Sequence, residues 1–179
     1  MYTIKSKTIS YSLASLFAAL TALGAYISIP ISYVPITLQT FFVYLAGAIL
    51  GSKLALLSQI IYILIGIIGF PVFAYGKAGF GVLIGPTGGY LIGFIIGAYI
   101  IGKMIEMKKT FSFKWTLLST LIGTAIIYCL GIVQLSYWLG GNILSALIIG
   151  IFPFLPGDLL KALLSSYIAI KIHRIIKIK

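Results

Sequence analysis

Pro153-Phe-Leu-Pro-Gly-Asp-Leu-Leu-Lys161 opens an apolar run that continues to about residue 174, and it sets two opposite charges at the mouth of that run. Asp158 is one of only two acids in the chain. At about 100° per residue, the three-residue step to Lys161 puts both side chains on one face of the first helical turn. There they can pair or grip one polar molecule between them. Within a membrane such a pair marks a functional site by default. The simpler reading is a snorkelling Lys beside an Asp that favours the positive end of the helix dipole.

Working outward, composition fixes the class. The chain has 179 residues, 61% hydrophobic and 8% charged, with a mean hydropathy of +1.17. A soluble domain needs far more surface charge, so the chain reads as a polytopic membrane protein. The net charge of +11 belongs to span ends, where it orients insertion, and does not point to a nucleic-acid partner. Cys129 is alone in the middle of an apolar span, forms no internal disulfide or metal cluster, and reads as inert packing. The first hydrophobic stretch lacks a cleavage pattern followed by a soluble region, so it reads as a retained helix and not a signal peptide.

Six apolar segments approach the roughly 20 residues needed to cross the hydrocarbon: about 8–28, 36–51, 53–69, 87–106, 113–139 and 157–174. The second and third are short and parted only by Gly51-Ser52-Lys53. The sequence thus predicts an all-α membrane protein, one integral domain over 1–179, built as a six-transmembrane-helix bundle. Two further stretches, 70–86 and 140–156, are apolar but broken by Gly and Pro. Irregular backbone at membrane depth survives only where protein or a wet cavity satisfies it, which makes these outer loops candidates for re-entrant or plugging segments.

With both termini cytoplasmic, six spans place Lys5, Lys7, Lys53, Lys103, Lys108, Lys109, Lys114, Lys171, Arg174, Lys177 and Lys179 inside. Only Lys77 and Lys161 stay outside. Glu106 sits among lysines at an inner helix end and reads as a solvated surface pair. His173, in the basic last turn, has no second ligand beside it for a metal. The polar content of the outer side clusters at Ser32–Thr40, the 70–86 loop, Gly140–Asn142 and Gly157–Lys161. Thr37, Gln39 and Thr40 face the same cavity as Asp158 if the second helix lines it; alternatively Thr37 bonds its own backbone at a helix start. Gly85-Pro-Thr-Gly-Gly89 and Leu155-Pro-Gly-Asp158 begin helices on the outer side, and both are expected to aim free N–H groups at the cavity, where a carboxylate is welcome. Of the aromatics Tyr33, Phe70, Phe73, Tyr75, Phe80, Tyr137, Trp138, Phe152 and Phe154, most belong to an interfacial belt; Phe73 and Tyr75 are the ones expected to touch a ligand.

Four motifs in order, Val34-Pro-Ile-Thr-Leu-Gln-Thr40, Gly69-Phe-Pro-Val-Phe-Ala74, Leu83-Ile-Gly-Pro-Thr-Gly-Gly-Tyr-Leu-Ile-Gly-Phe94 and Pro156-Gly-Asp-Leu-Leu-Lys161, resemble the BioY family. These are biotin-specific S components of energy-coupling factor transporters. The resemblance implies a multi-pass protein of the bacterial cell membrane that holds biotin near its outer face. It implies as partners one transmembrane coupling subunit and two cytosolic ATPases, with ATP used only by those partners and no cofactor in this chain. It assigns ligand contact to Asp158 and Lys161.

Biotin offers two ureido N–H donors and a carbonyl, an apolar bicyclic body, and a carboxylate on a flexible chain. Asp158 accepts a ureido N–H but repels a carboxylate in a low-dielectric pocket. The expected pose therefore puts Lys161 on the ureido oxygen and the carboxylate toward Lys77, Gln39 or a helix N-terminus; the reverse pose, with Lys161 on the carboxylate, stays open. The chain has no G-x-x-x-x-G-K-[ST] loop and cannot hydrolyse ATP. Ala14, Ala18 and Ala22 recur every four residues and are expected to form a docking stripe for the coupling subunit, with packing inside the bundle as the alternative. The lone Cys, lone His and two distant acids give an intramembrane enzyme nothing to work with. A stand-alone facilitator or channel for biotin or another small vitamin remains the alternative function.

Overall fold

A backbone in hydrocarbon has to bond to itself, and so an apolar chain becomes helix. The computed structural model describes residues 7–31, 33–108 and 111–177, without the side chains of 176 and 177. Ser32, Lys5, Lys109 and Lys179, placed above, lie outside them, as does the side chain of Lys177. Two strands, β1 (Ser28–Ile29) and β2 (Ile36–Thr37), form one antiparallel ladder between the first two helices. All other regular structure among the described residues is helical.

The helices follow the hydropathy closely: α1 (Lys7–Tyr26), α2 (Gln39–Leu50), α3 (Ser52–Ile68), α5 (Gly88–Met107), α6 (Phe113–Trp138) and α8 (Leu155–Lys177). The broken stretches hold a 3-10 turn at Ala74–Gly76, a short α4 (Gly81–Ile84) and α7 (Ile143–Gly150). Among the described residues α1, α5 and α6 are long and apolar enough to cross a membrane, and α7 with α8, bent by 53°, makes a fourth candidate. The 12 residues of α2 and 17 of α3 fall short of that length.

The brevity of α2 has a physical reason. It touches α1, α3, α5, α6 and α8, and most of it is buried, with Val43, Tyr44 and Ala46 fully so. A helix apolar on every side belongs in a core. Gly51, at φ 81, turns the chain back on itself, so that Gln39 and Tyr62, nearly equidistant from it, share a hydrogen bond of 2.6 Å. The acid at the turn is Glu106. Its carboxylate accepts from the Ser52 backbone N–H at 2.6 Å and from the Ser52 hydroxyl at 2.9 Å, closing the first turn of α3, and among the described residues no lysine forms an ion pair with it.

Glycines set how close α5 and α6 come. A Cβ on Gly89 would lie 2.2 Å from the Leu130 carbonyl oxygen, and one on Gly93 would lie 2.8 Å from the Ile127 Cα. This is the small-residue packing of membrane helices, which gain little from expelling water and associate through close contact. The same rule had suggested a docking stripe on α1. Ala14 (0% exposed) and Ala18 (2%) instead point into the bundle, and Ala22 is half-buried. The face that α1 turns outward carries Leu16, Ala19 and Leu23. Cys129 likewise departs from expectation: it is exposed on α6 and is not part of the core. His173 stacks on Phe111 with ring centroids 4.1 Å apart.

Thermal unfolding in detergent checks this packing. Gly93→Leu and Ala18→Trp are each expected to lower stability by about 1–3 kcal/mol through overpacking. Gly81→Ala, at a position with open space around it, is expected to stay within about 0.5 kcal/mol of the parent.

Candidate functional site

The starts of α2, α5 and α8 and the middle of α6 surround a cavity of about 720 Å³, counted with its open mouth. Apolar side chains make most of the wall: Val34, Pro35, Phe73, Val82, Leu91, Phe94, Ile127 and Phe154. Thr37, Gln39, Tyr75, Lys77, Asp158 and Lys161, singled out in the sequence together with Phe73, all line it as well.

The charged pair forms the polar floor. Asp158 is 3% exposed and Lys161 9%, and the Lys161 Nζ donates to Asp158 Oδ1 at 2.6 Å. Burial of both charges is tolerable only because each is further bonded. Lys161 also donates to the Thr37 carbonyl at 2.7 Å and to Thr40 Oγ1 at 3.0 Å. Thr40 passes its own proton to Asp158 Oδ1 at 2.9 Å, and the Tyr128 hydroxyl donates to Oδ2 at 2.6 Å. One carboxylate thereby ties α2, α6 and α8 together.

Tyr128 was not foreseen from the sequence. A tyrosine inside an apolar run signals only that its hydroxyl needs a partner, and the partner lies on another helix. Tyr90, also a lining residue, donates to the Gly150 carbonyl at 2.9 Å. Gly131 and Gly150 leave the space its ring and hydroxyl fill.

Gln39 reaches the cavity wall with its amide already engaged: Nε2 donates to Tyr62, and Oε1 accepts from Thr37 Oγ1 at 3.0 Å. Thr37 fulfils both readings offered for it, since it lines the cavity and its hydroxyl accepts from the Gln39 backbone N–H at 3.3 Å. Several of the free N–H groups expected at two helix starts are in use. Tyr90 and Leu91 donate to the Thr87 carbonyl, and Leu155 and Asp158 donate to Ile151 and Phe154.

The 70–86 segment forms one wall, held by Phe73. Its ring stands edge-on to Tyr62, with centroids 5.6 Å apart, and fills the space over Gly66, where a Cβ would come within 2.2 Å of it. Beyond this anchor Tyr75 adopts φ 62, the only positive φ outside glycine among the described residues. Such backbone strain persists where surrounding structure enforces it. Lys77 is exposed, with its ammonium 5.8 Å from the Tyr75 ring centroid. Of the other expected aromatics, Tyr33 and Phe154 line the cavity, and Phe70, Phe80, Tyr137, Trp138 and Phe152 are exposed away from it.

The BioY family model matches residues 2–178. The chain is similar to the biotin transporter BioY of Thermotoga maritima, with 45% identity over 90% of this chain and 94% of the relative. It is also similar to a probable biotin transporter BioY of Pyrococcus horikoshii, at 43% identity over 93% and 96%. Among solved structures, the S-component for biotin from an ECF-type ABC transporter superposes with a TM-score of 0.87. That match has 27% identity and covers 97% of this chain and 95% of the other.

The pair itself can be tested without a ligand. Lys161→Met strands a buried carboxylate and is expected to cost about 3–5 kcal/mol in unfolding experiments. The double variant Asp158→Asn with Lys161→Met is expected to recover most of that loss.

Proposed function

This chain belongs to the BioY family, and on that premise we propose that it is the biotin-capturing S component of an energy-coupling factor transporter. It is a membrane transport protein and not an enzyme. The observation that carries the reading is the apolar cavity with a single satisfied ion pair on its floor. An apolar bicycle with a polar urea edge matches that division of surface.

All three protons of the Lys161 ammonium are engaged within the protein, whereas Asp158 Oδ2 accepts only from Tyr128. The ureido edge therefore meets Asp158 through an N–H, and Lys161 serves to neutralise the carboxylate. The ligand carboxylate lies toward Lys77, the exposed cation of the lining, with Tyr75 and Phe73 against the apolar body and chain.

We place six spans, α1, α2, α3, α5, α6 and α8, in the bacterial plasma membrane, with both chain ends cytoplasmic. Short α2 and α3 suit such a bundle because α2 is enclosed by other helices and not by lipid. Glu106 to Ser52, Trp115 to the Met104 carbonyl and Phe111 on His173 gather the ends of α3, α5, α6 and α8 away from the cavity. Exposed Lys53, Lys103, Lys108, Lys114, Lys171 and Arg174 lie at that end, as the positive-inside rule asks. The partners are a transmembrane coupling subunit and two cytosolic ATPases.

The purified chain is expected to bind biotin stoichiometrically in detergent without a partner. Asp158→Asn is expected to weaken binding by about 2–5 kcal/mol, and Glu106→Gln to leave it unchanged. Absence of saturable binding sinks the capture reading, and uptake that is equally fast without the coupling module supports a facilitator instead. In a Cys129→Ala background, a cysteine at position 77 is expected to react with an impermeant thiol reagent on intact cells, and one at position 103 is not.

A further inference from the structure

A carboxylate offers about four acceptor positions and an ammonium three donors. Lys161 spends its three donors on Asp158 Oδ1, the Thr37 carbonyl and Thr40 Oγ1. Thr40 gives its one proton to the same Oδ1, and Tyr128 gives its own to Oδ2. Three of the four acceptor positions on Asp158 are thus filled by the protein. The cluster offers the cavity no free donor, and the one open position on the carboxylate is on Oδ2.

Those bonds also fix a torsion. The terminal carboxylate torsion of an Asp is broad when left alone. Here Oδ1 is held from α2 and from within α8, and Oδ2 is held from α6. The open position therefore has one direction. Removing the Tyr128 proton would free Oδ2 and restore a second acceptor position on it, while leaving the ion pair intact.

The geometry points to Tyr128 as a specificity-determining positioning residue: by holding Asp158 Oδ2 it restricts the floor of the site to a ligand that brings one N–H in one direction. This rests on the biotin reading given above. Thr40 plays the matching part at Oδ1. The consequence is chemical selectivity and not affinity alone. A site that leaves a buried acceptor unpaired when a ligand lacks the matching N–H rejects that ligand strongly. A site whose acceptor can turn away rejects it weakly.

The test is equilibrium binding to the full chain in detergent, using biotin and its two isomers methylated on one ureido nitrogen. For the parent protein, methylation at the nitrogen that faces Asp158 is expected to weaken binding at least about tenfold. In Tyr128→Phe the same methylation is expected to weaken binding no more than about threefold, because the two changes act on one carboxylate and are not additive. Thr40→Val is expected to behave like Tyr128→Phe, and Thr40→Ser like the parent. A side chain that merely filled space would leave the ratio between biotin and its methylated isomer where it was. Equal methylation penalties in the parent, Tyr128→Phe and Thr40→Val therefore overturn the proposal. If Tyr128→Phe does not fold, the comparison of Thr40→Val with Thr40→Ser decides the matter alone. A parent protein that binds biotin but tolerates methylation at both nitrogens overturns this proposal and leaves the function standing. A parent that binds no biotin at all removes both.

Discussion

An ionised carboxylate in a membrane bundle has to be surrounded by donors, and Asp158 is the carboxylate on which this structure depends. Three helices supply what it needs. Lys161 comes from its own helix, Thr40 from α2 and Tyr128 from α6. Because an unpaired charge at this depth costs several kcal/mol, these helices have one arrangement in which all the partners meet. The Thr37 carbonyl extends the network into the short ladder between α1 and α2, since it accepts the remaining proton of Lys161. Local chemistry at one residue thus bears on the relative height of three helices and on the segment between α1 and α2.

The rest of the bundle makes room for that meeting. Glycines on α5 and α6 and alanines on α1 let backbones approach where a larger side chain would hold them apart. Gly66 does the same for Phe73, whose ring anchors an otherwise irregular segment against α3. The pattern is an apolar frame with small contact surfaces, in which the polar groups are few and nearly all bonded. Gln59 Oε1 is the one buried side-chain polar atom without a partner among the described residues.

Much of this was legible in the sequence. Hydropathy located each long helix to within a few residues, because in a membrane the apolar run and the helix are the same object. The charged pair announced the cavity floor for the converse reason: charge in such a run has few explanations. What escaped notice were relations between helices. Spacing shows that Ala14 and Ala18 share a face, but it does not say whether a neighbour of the same chain already occupies that face. Glu106 looked like a surface acid because lysines are its sequence neighbours, whereas Ser52, its actual partner, follows the turn between two other helices. Tyr128 was silent because an aromatic residue fits any apolar run, and only the fold brings its hydroxyl to Asp158.

The close seam between α5 and α6 bears on motion as well as stability. With backbone nearly against backbone at Gly89 and Gly93, neither helix can roll or slide past the other without a steric clash. The two behave mechanically as one girder, and α5 carries with it Tyr90, Leu91 and Phe94 of the cavity wall. Any change of shape that lets a ligand in or out therefore leaves that wall standing. Compliance then falls to the parts of the lining that belong to neither helix, among them the Phe73 ring and the residues between α1 and α2.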